Sequence, residues 1–328
     1  MIDRRTLLAA ALVPGALAVA GRLAPARAQA ESFSEFLAAF RREALHAGIS
    51  ARTLDQSLRG IQANQRVLEL DQHQPEFTMT WDRYRALVLN DKRIAAGRES
   101  TRKNQALMRR VEARFGVDPR VVAGIWGLES NYGAHTGDFH VVEALATLAW
   151  DGRRASFFRS ELMAALKILD QGDVTPVRML GSHAGAMGQP QFMPTSYLRM
   201  AVDFDGDGKR DIWTSNADVL GSIANYLARS GWRAGEGWGQ RVQVPGDFDA
   251  SVTGRQNRRP VREWARLGVR SVDGGRLPDG DSPRAVVLPA GLGGEAYLVG
   301  DNFFAIRRYN PSDFYAIGVG SLGDLVGA

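Results

Sequence analysis

The chain has 328 residues, with 41 lysines and arginines against 36 acids and a formal net charge of +5. It contains no cysteine, which excludes disulfides, thiolate metal sites and a cysteine nucleophile. Setting aside the first thirty residues leaves about +2, which excludes the basic footprint of a nucleic-acid-binding protein.

Residues 1–30 read as a secretory signal. Arg4 and Arg5 form the charged start, and Thr6 to Ala20 is a charge-free run rich in Ala, Leu and Val. Ala26-Arg27-Ala28 and Ala28-Gln29-Ala30 then offer two small-x-small cleavage sites. The run is too short for a bilayer-spanning helix, which needs about 20 residues. A surface amphipathic helix is the alternative, but no polar face interrupts the run. Arg4-Arg5 followed by Thr6-Leu7-Leu8 also resembles a twin-arginine export signal. With no cysteine to carry lipid, the expectation is an exported, soluble, periplasmic protein without a stable membrane anchor. The remaining roughly 300 residues can bury a large core divided into two or three subdomains.

From Glu31 to Phe115 the pattern is helical, and 31–115 is read as a helical subdomain. Phe33, Phe36, Leu37 and Phe40 repeat at the spacing of one helix face, as do Leu54, Leu58 and Ile61, then Trp81, Tyr84 and Val88. Pro75 interrupts the run. Residues 116–242 alternate helices with glycine-rich loops and are read as the core. Asp118-Pro119 is a helix start, a capping residue followed by proline at the first helical position. Gly133 lies where that helix would stop. Further helices are expected at 141–149, 156–170, 176–180 and 216–230. After Trp238 the composition changes. Arg241 to Pro245, Ala285 to Pro289 and Ala296 to Val299 are short, β-branched and bounded by Gly, Pro or Asp, which are strand signals. Residues 243–299 are therefore read as a small β-rich insertion, with 300–328 returning to the core. The fold class is α+β, mainly α.

Three segments could do chemistry. Glu129 lies three residues after Trp126, four after Ile125 and seven after Val122, so on a helix it shares their face. A carboxyl there is a packing error, the partner of a cation, or an acid held protonated by desolvation. Asp203-Phe-Asp205-Gly-Asp207-Gly-Lys209-Arg-Asp211 matches a calcium loop of the EF-hand type, with Lys209 at the seventh, backbone-carbonyl position. Thr214 stands at the twelfth, where a bidentate glutamate is usual, and Asp218 is the natural substitute. An ion-free Asp-Gly turn is the competing reading. The third segment, Gly181 to Pro194, packs small residues around Ser182, Gln189 and Gln191. It has no phosphate-loop lysine, and spacing leaves a connecting loop and a shaped ligand wall equally open. His135 and His140 lack a helical zinc pattern, no nucleophile elbow is present, and His46, His73 and His183 read as surface or loop residues.

Together these motifs resemble the lytic murein transglycosylases of the membrane-bound lytic transglycosylase B type, a lysozyme-like family. Val121 to Gly133 is similar to the family's catalytic helix, Ser182 to Tyr197 to its substrate-groove loop, and Ala201 to Trp213 to its calcium loop. Gly221 to Tyr226 is similar to the helix that follows, and Asp301-Asn302-Phe303 with Arg308-Tyr309-Asn310 to its closing motif. The likeness runs from about residue 33 to 328. It implies that Glu129 is the sole general acid/base, and it places Ser182, Gln191, Tyr226, Tyr309, Asn310, Tyr315 and, on less distinctive surroundings, Tyr84 on the substrate groove. It also implies a structural calcium held by Asp203, Asp205, Asp207, Lys209, Asp211 and Asp218, with no cofactor for catalysis. Two departures stand out. The calcium loop is one residue longer before Asp218 than the family pattern, and the lipid-bearing cysteine is absent.

The implied reaction cleaves the β-1,4 bond between N-acetylmuramic acid and N-acetylglucosamine in peptidoglycan glycan strands and closes a 1,6-anhydro ring. Tyr309 and Asn310 would position the N-acetyl group or stabilise developing charge. A hydrolytic muramidase and a non-catalytic peptidoglycan-binding protein are the alternatives. Peptidoglycan is the expected partner and nucleic acid is not. Cell-wall synthesis or remodelling proteins are further partners that the sequence does not name.

Overall fold

The computed structural model describes residues 31–72, 79–274, 277–278 and 282–327. The signal-like segment 1–30, His73 and Pro75 lie outside the described residues. In chain order the elements begin with helices α1 (Phe33–His46), α2 (Ala51–Leu58), α3 (Gln65–Gln72), α4 (Trp81–Val88), α5 (Asp91–Lys103), α6 (Gln105–Phe115) and α7 (Pro119–Ser130). Strand β1 (Phe139–His140), α8 (Val141–Asp151), α9 (Ala155–Gln171), strand β2 (Leu180–Gly181), α10 (Pro194–Met200) and α11 (Asn216–Arg229) follow. The chain then runs through β3 (Gly239–Gln243), α12 (Val261–Arg266), β4 (Arg270–Ser271), β5 (Ala285–Val287), β6 (Ala296–Val299), α13 (Asp301–Tyr309) and α14 (Asp313–Val326). The class is α+β and mainly α.

Compactness gathers these elements into two units, each made of two separated stretches: residues 1–74 with 136–215, and 75–135 with 216–328. In the first unit, α1 begins with a reciprocal cap. Glu35 N–H donates to Ser32 Oγ, and Ser32 N–H donates to Glu35 Oε2 at 2.8 Å. Phe36, Phe40 and Ala44 then bury one face, matching the spacing read from the sequence. The paired helices α8 and α9 supply much of this unit's core, including Leu145, Leu148, Leu162 and Leu166. The buried Asp71 closes α3 onto the start of α9, with its two oxygens 2.5 Å from Arg153 Nη2 and 2.8 Å from Arg154 Nη2.

One expected helix is corrected here. Residues 176–180 form only a three-residue 3₁₀ turn, Pro176–Arg178, after which Leu180 and Gly181 pair antiparallel with His140 and Phe139. The strand pairing takes the residues a helix would need. Gly181 permits it, since a Cβ there would lie 2.1 Å from the Ala186 carbonyl oxygen.

In the second unit α7 starts as read. Asp118 accepts from Arg120 N–H at 2.8 Å and Pro119 occupies the first turn. Burial differs from the expectation of a single apolar face, because every residue from Val121 to Ser130 is buried. A helix buried all round carries no amphipathic signal. Its main neighbour is α14, a helix containing Gly318, Gly320 and Gly323. A Cβ on Gly124 would lie 2.2 Å from the Val319 carbonyl oxygen, and one on Gly323 would lie 2.4 Å from that of Arg120. The two backbones touch, and only glycine at these crossings allows it. Strands β4-β3-β6-β5 form an antiparallel sheet in that order, with Val242 opposite Ala296 and Val286 opposite Leu298. Val242, Trp264, Val286 and Leu298 fill a small core of their own beneath α12.

Candidate active site

Glu129 occupies the last turn of α7. Asn131 and Tyr132 then enter the left-handed region at φ 51° and 59°, followed by Gly133 at 87°. The bend is held by Gly133 N–H donating to Ser130 Oγ at 3.0 Å, and by the Tyr132 ring. That ring folds back edge-on to Trp126, with centroids 5.5 Å apart, into a slot made by Gly97 and Gly127. The turn thus stops the helix at the acid. Nothing in the local spacing signalled Tyr132, because its role depends on two glycines, one of them on α5.

Glu129 is only 4 % exposed, and the Tyr315 hydroxyl donates to its Oε1 at 2.6 Å. That is its only hydrogen bond among the described residues. Desolvation pushes its carboxyl up from 4.5 to about 8, opposed by the Tyr315 hydrogen bond. At neutral pH the acid therefore carries its proton. Its place near the C-terminal end of a helix also disfavours an anion. Burial raises Tyr315 and Tyr309 well above the ordinary phenol value, with the Glu129 charge as the next cause, so both keep their protons.

Around this pair the second unit assembles an aromatic wall. Tyr309 stacks on Tyr315 with centroids 6.4 Å apart and planes 14° from parallel. Tyr226 of α11 lies 4.6 Å from Tyr309, and its hydroxyl donates to the Arg308 carbonyl at 2.6 Å. Tyr84 packs against Trp81 and Phe314, 6.1 and 5.7 Å away, beside Gly318 of α14. Asn310 follows α13, where its Oδ1 accepts from Ser312 N–H at 3.1 Å. Five of the expected groove residues thus share the unit that holds Glu129.

Ser182 and Gln191 belong to the first unit. Ser182 Oγ accepts from Ala186 N–H at 3.1 Å, and Met187 bridges both Gly181 and Phe192, so the Gly181–Pro194 segment is a closed, shaped loop. Gln191 adopts φ 52°, unusual for a non-glycine residue, and its Nε2 donates to the carbonyls of Gly188 and Thr136 at 2.7 and 3.0 Å. Gln189 Nε2 donates to the Trp213 carbonyl at 3.0 Å. His183 lies in the same loop, in keeping with the surface-or-loop reading, and is buried there.

The acidic loop 203–211 turns through Gly206 and Gly208, at φ 82° and 89°. Asp203 gathers the N–H groups of Gly206, Asp207 and Gly208, and it offers an oxygen within 4.8 Å of one on Asp205. Asp207 accepts from Lys209 N–H at 2.9 Å. Asp211 is engaged differently, accepting from the N–H groups of Trp213 and Thr214 and from the Thr214 hydroxyl. Asp218 is fully buried in the first turn of α11.

Residues 32–324 match the family model described as the transglycosylase SLT domain. The chain is 34 % identical over 249 residues to membrane-bound lytic murein transglycosylase B of Escherichia coli K12, covering 75 % of this chain and 67 % of that protein. Among solved structures it is similar to SltB3 of Pseudomonas aeruginosa in complex with NAG-anhNAM-pentapeptide. There the TM-score is 0.88 and the identity 47 %, covering 91 % of this chain and 80 % of that one. It is also similar to the Escherichia coli lytic transglycosylase Slt35 in complex with calcium, with TM-score 0.75 and 29 % identity over 90 % and 92 % of the two chains. The chain belongs to the transglycosylase SLT domain family and is an enzyme of the lytic murein transglycosylase type.

Proposed function

We propose that Glu129 is the single general acid/base for cleavage of the β-1,4 bond between N-acetylmuramic acid and N-acetylglucosamine, with formation of a 1,6-anhydromuramic acid end. The observation that carries this is a buried carboxyl held protonated near neutrality, with Oε1 on a tyrosine hydroxyl and Oε2 without a hydrogen-bond partner among the described residues. Protonated Glu129 donates to the glycosidic oxygen as the bond to C1 breaks, and the muramoyl N-acetyl oxygen stabilises the cationic carbon. The Glu129 carboxylate then takes the proton of the 6-hydroxyl, whose oxygen bonds to C1, and the acid is regenerated. Tyr309 and Asn310 orient the N-acetyl group. Tyr226 and Tyr84 extend the aromatic surface that carries the sugars, and Ser182 and Gln191 hydrogen-bond to the strand.

Intramolecular attack is favoured over attack by water. A two-carboxylate glycosidase needs a partner acid roughly 5 to 9.5 Å from the first. The acids of the closing segment are committed elsewhere: Asp301 lies 2.5 and 2.6 Å from Arg233 and Arg258, and Asp313 lies 2.6 Å from Arg307. The substrate's own hydroxyl, by contrast, is already beside the reacting carbon at high effective concentration. The SltB3 structure in complex with NAG-anhNAM-pentapeptide, at 47 % identity, supports the same product class.

For a hard cation the carboxylates of Asp203, Asp205, Asp207 and Asp211, the Lys209 carbonyl and Asp218 remain the assigned ligands, and the oxygens that Asp203 and Asp205 offer within 4.8 Å of each other support the assignment. Calcium there stabilises the fold and takes no part in bond cleavage. Slt35, solved with calcium, supports this assignment. Among the described residues no helix is long and apolar enough to cross a membrane. The signal-like start supports a periplasmic enzyme acting on the wall.

The product decides between the readings. Sacculi treated with the purified enzyme should yield muropeptides one water lighter than muramidase products and resistant to borohydride. Mass spectra dominated by reducible muramic acid ends would establish a hydrolase instead, and an absence of cleavage by folded protein would establish a binding module.

A further inference from the structure

Tyr309 and Tyr315 stand on either side of the three-residue connector Asn310-Pro311-Ser312, which joins α13 to α14. Within it, Asn310 Oδ1 accepts from Ser312 N–H, and Ser312 Oγ accepts from Tyr315 N–H at 3.3 Å. Two arginines grip it from outside. Arg307 has a side chain only 18 % exposed, and its Nε lies 2.6 Å from Asp313 Oδ1. Its Nη2 also donates to the Pro311 carbonyl. Arg255, which precedes α12, places Nη1 3.4 Å from the same Asp313 oxygen. Burial opposes the charge on Arg307, and Asp313 is what compensates it. The sequence offered no reason to single out this trio, whose members lie up to 58 residues apart.

We infer that Arg307 and Asp313, tightened by Arg255, are positioning residues that set the reach of the Tyr315 hydroxyl to Glu129 and the stacking of Tyr309 on Tyr315. The inference rests on Glu129 being the acid. A hydrogen bond of 2.6 Å is lost if its donor retreats by 1 Å. Such a displacement at a reacting group costs about a hundredfold in rate when complete, and about tenfold when partial. The titratable groups facing Glu129 are Tyr315 from α14 and Tyr309 from α13, and among the described residues Glu129 has no ion-pair partner. Tyr315 is therefore the group whose movement retunes the acid, and losing its hydrogen bond raises the carboxyl further.

The test is the pH–rate profile on soluble glycan strands for wild type, Arg307→Gln, Arg307→Lys and Arg255→Gln, with Glu129→Gln as control. Arg307→Gln should lower kcat about tenfold with little change in KM, and it should move the alkaline limb to higher pH. Arg307→Lys, which keeps a cation on Asp313, should restore both. A purely structural role would reduce the amount of active enzyme without moving the limb, so a folded Arg307→Gln with the wild-type profile overturns the inference. If that variant does not fold, Arg255→Gln carries the test: a smaller upward shift supports the clamp, and an unmoved limb removes it. An active Glu129→Gln would bring down the reading of the acid and the clamp together. An inactive Glu129→Gln beside an unshifted Arg307→Gln would remove the clamp alone.

Discussion

Glu129 and Glu161 are buried to nearly the same extent, 4 % and 3 % exposed, and desolvation raises both carboxyls. Their partners differ. Glu161, on α9, accepts from Thr195 N–H at 2.8 Å and from the Thr195 hydroxyl at 2.7 Å, one donor on each oxygen. Helix α10 has no side-chain cap from its own flank, so Glu161 supplies one from a distance. Glu129 has a single donor on one oxygen, at a turn of left-handed residues that stops its helix. A buried acid is thus not in itself a catalytic one. What separates the two is that the fold uses both oxygens of Glu161 and leaves one oxygen of Glu129 without a donor among the described residues.

The largest test of that contrast is Glu129→Gln, which keeps the shape but cannot donate a carboxyl proton. Turnover should fall about a hundredfold or more, measured on glycan strands. Stability should move the other way. Because the folded carboxyl sits above its unfolded value, the stability it contributes is complete below about pH 4.5 and is lost as pH rises to about 8. Glutamine stays neutral throughout. Its melting advantage over wild type should open across that window and level off above it, at no more than about 5 kcal/mol. A constant difference at all pH values would mean that Glu129 is ionised in the folded protein.

Gly124→Ala attacks the support of Glu129 and not the acid itself. The added methyl meets a backbone carbonyl that cannot turn aside, so α14 must retreat from α7 and carry Tyr315 with it. A loss of about 1–3 kcal/mol in denaturant melts should be accompanied by reduced turnover. Glu161→Ala sharpens the other side of the comparison. Orphaning the start of α10 should cost about 1–3 kcal/mol, while the alkaline limb of the pH–rate profile stays where it is in wild type. A shifted limb would mean that the two glutamates are not separable. The smallest effect on turnover is expected from chelation. Removing calcium should lower the stability by the mass-action amount, about 2.7 kcal/mol at a hundredfold excess over Kd, without moving the limb. Asp205→Ala with Asp207→Ala should abolish the response.

Several features were legible in the sequence because their physics is local. Asp118-Pro119 starts a helix through its own cap and ring. Glu129 was recognisable as an acid at the end of an apolar helix, and Asp203 to Asp211 as a glycine-hinged acidic loop. The strands at 241–243, 285–287 and 296–299 announced themselves by β-branched runs. The Pro176 turn is not legible locally, because a strand partner far back along the chain claims Leu180 and Gly181.

Tertiary structure alone decided the rest. Helix α14 reads poorly as a helix, because each interior glycine costs about 1 kcal/mol relative to alanine. It forms because those same glycines let its backbone reach that of α7 at Gly124, which no propensity scale contains. That contact brings Tyr315 to Glu129 across 186 residues of sequence, and with it the single donor that marks the acid. The choice between a packing error, an ion pair and a protonated acid at Glu129 was open along the chain. It closes only in three dimensions, because desolvation depends on everything that surrounds a side chain and not on what precedes it.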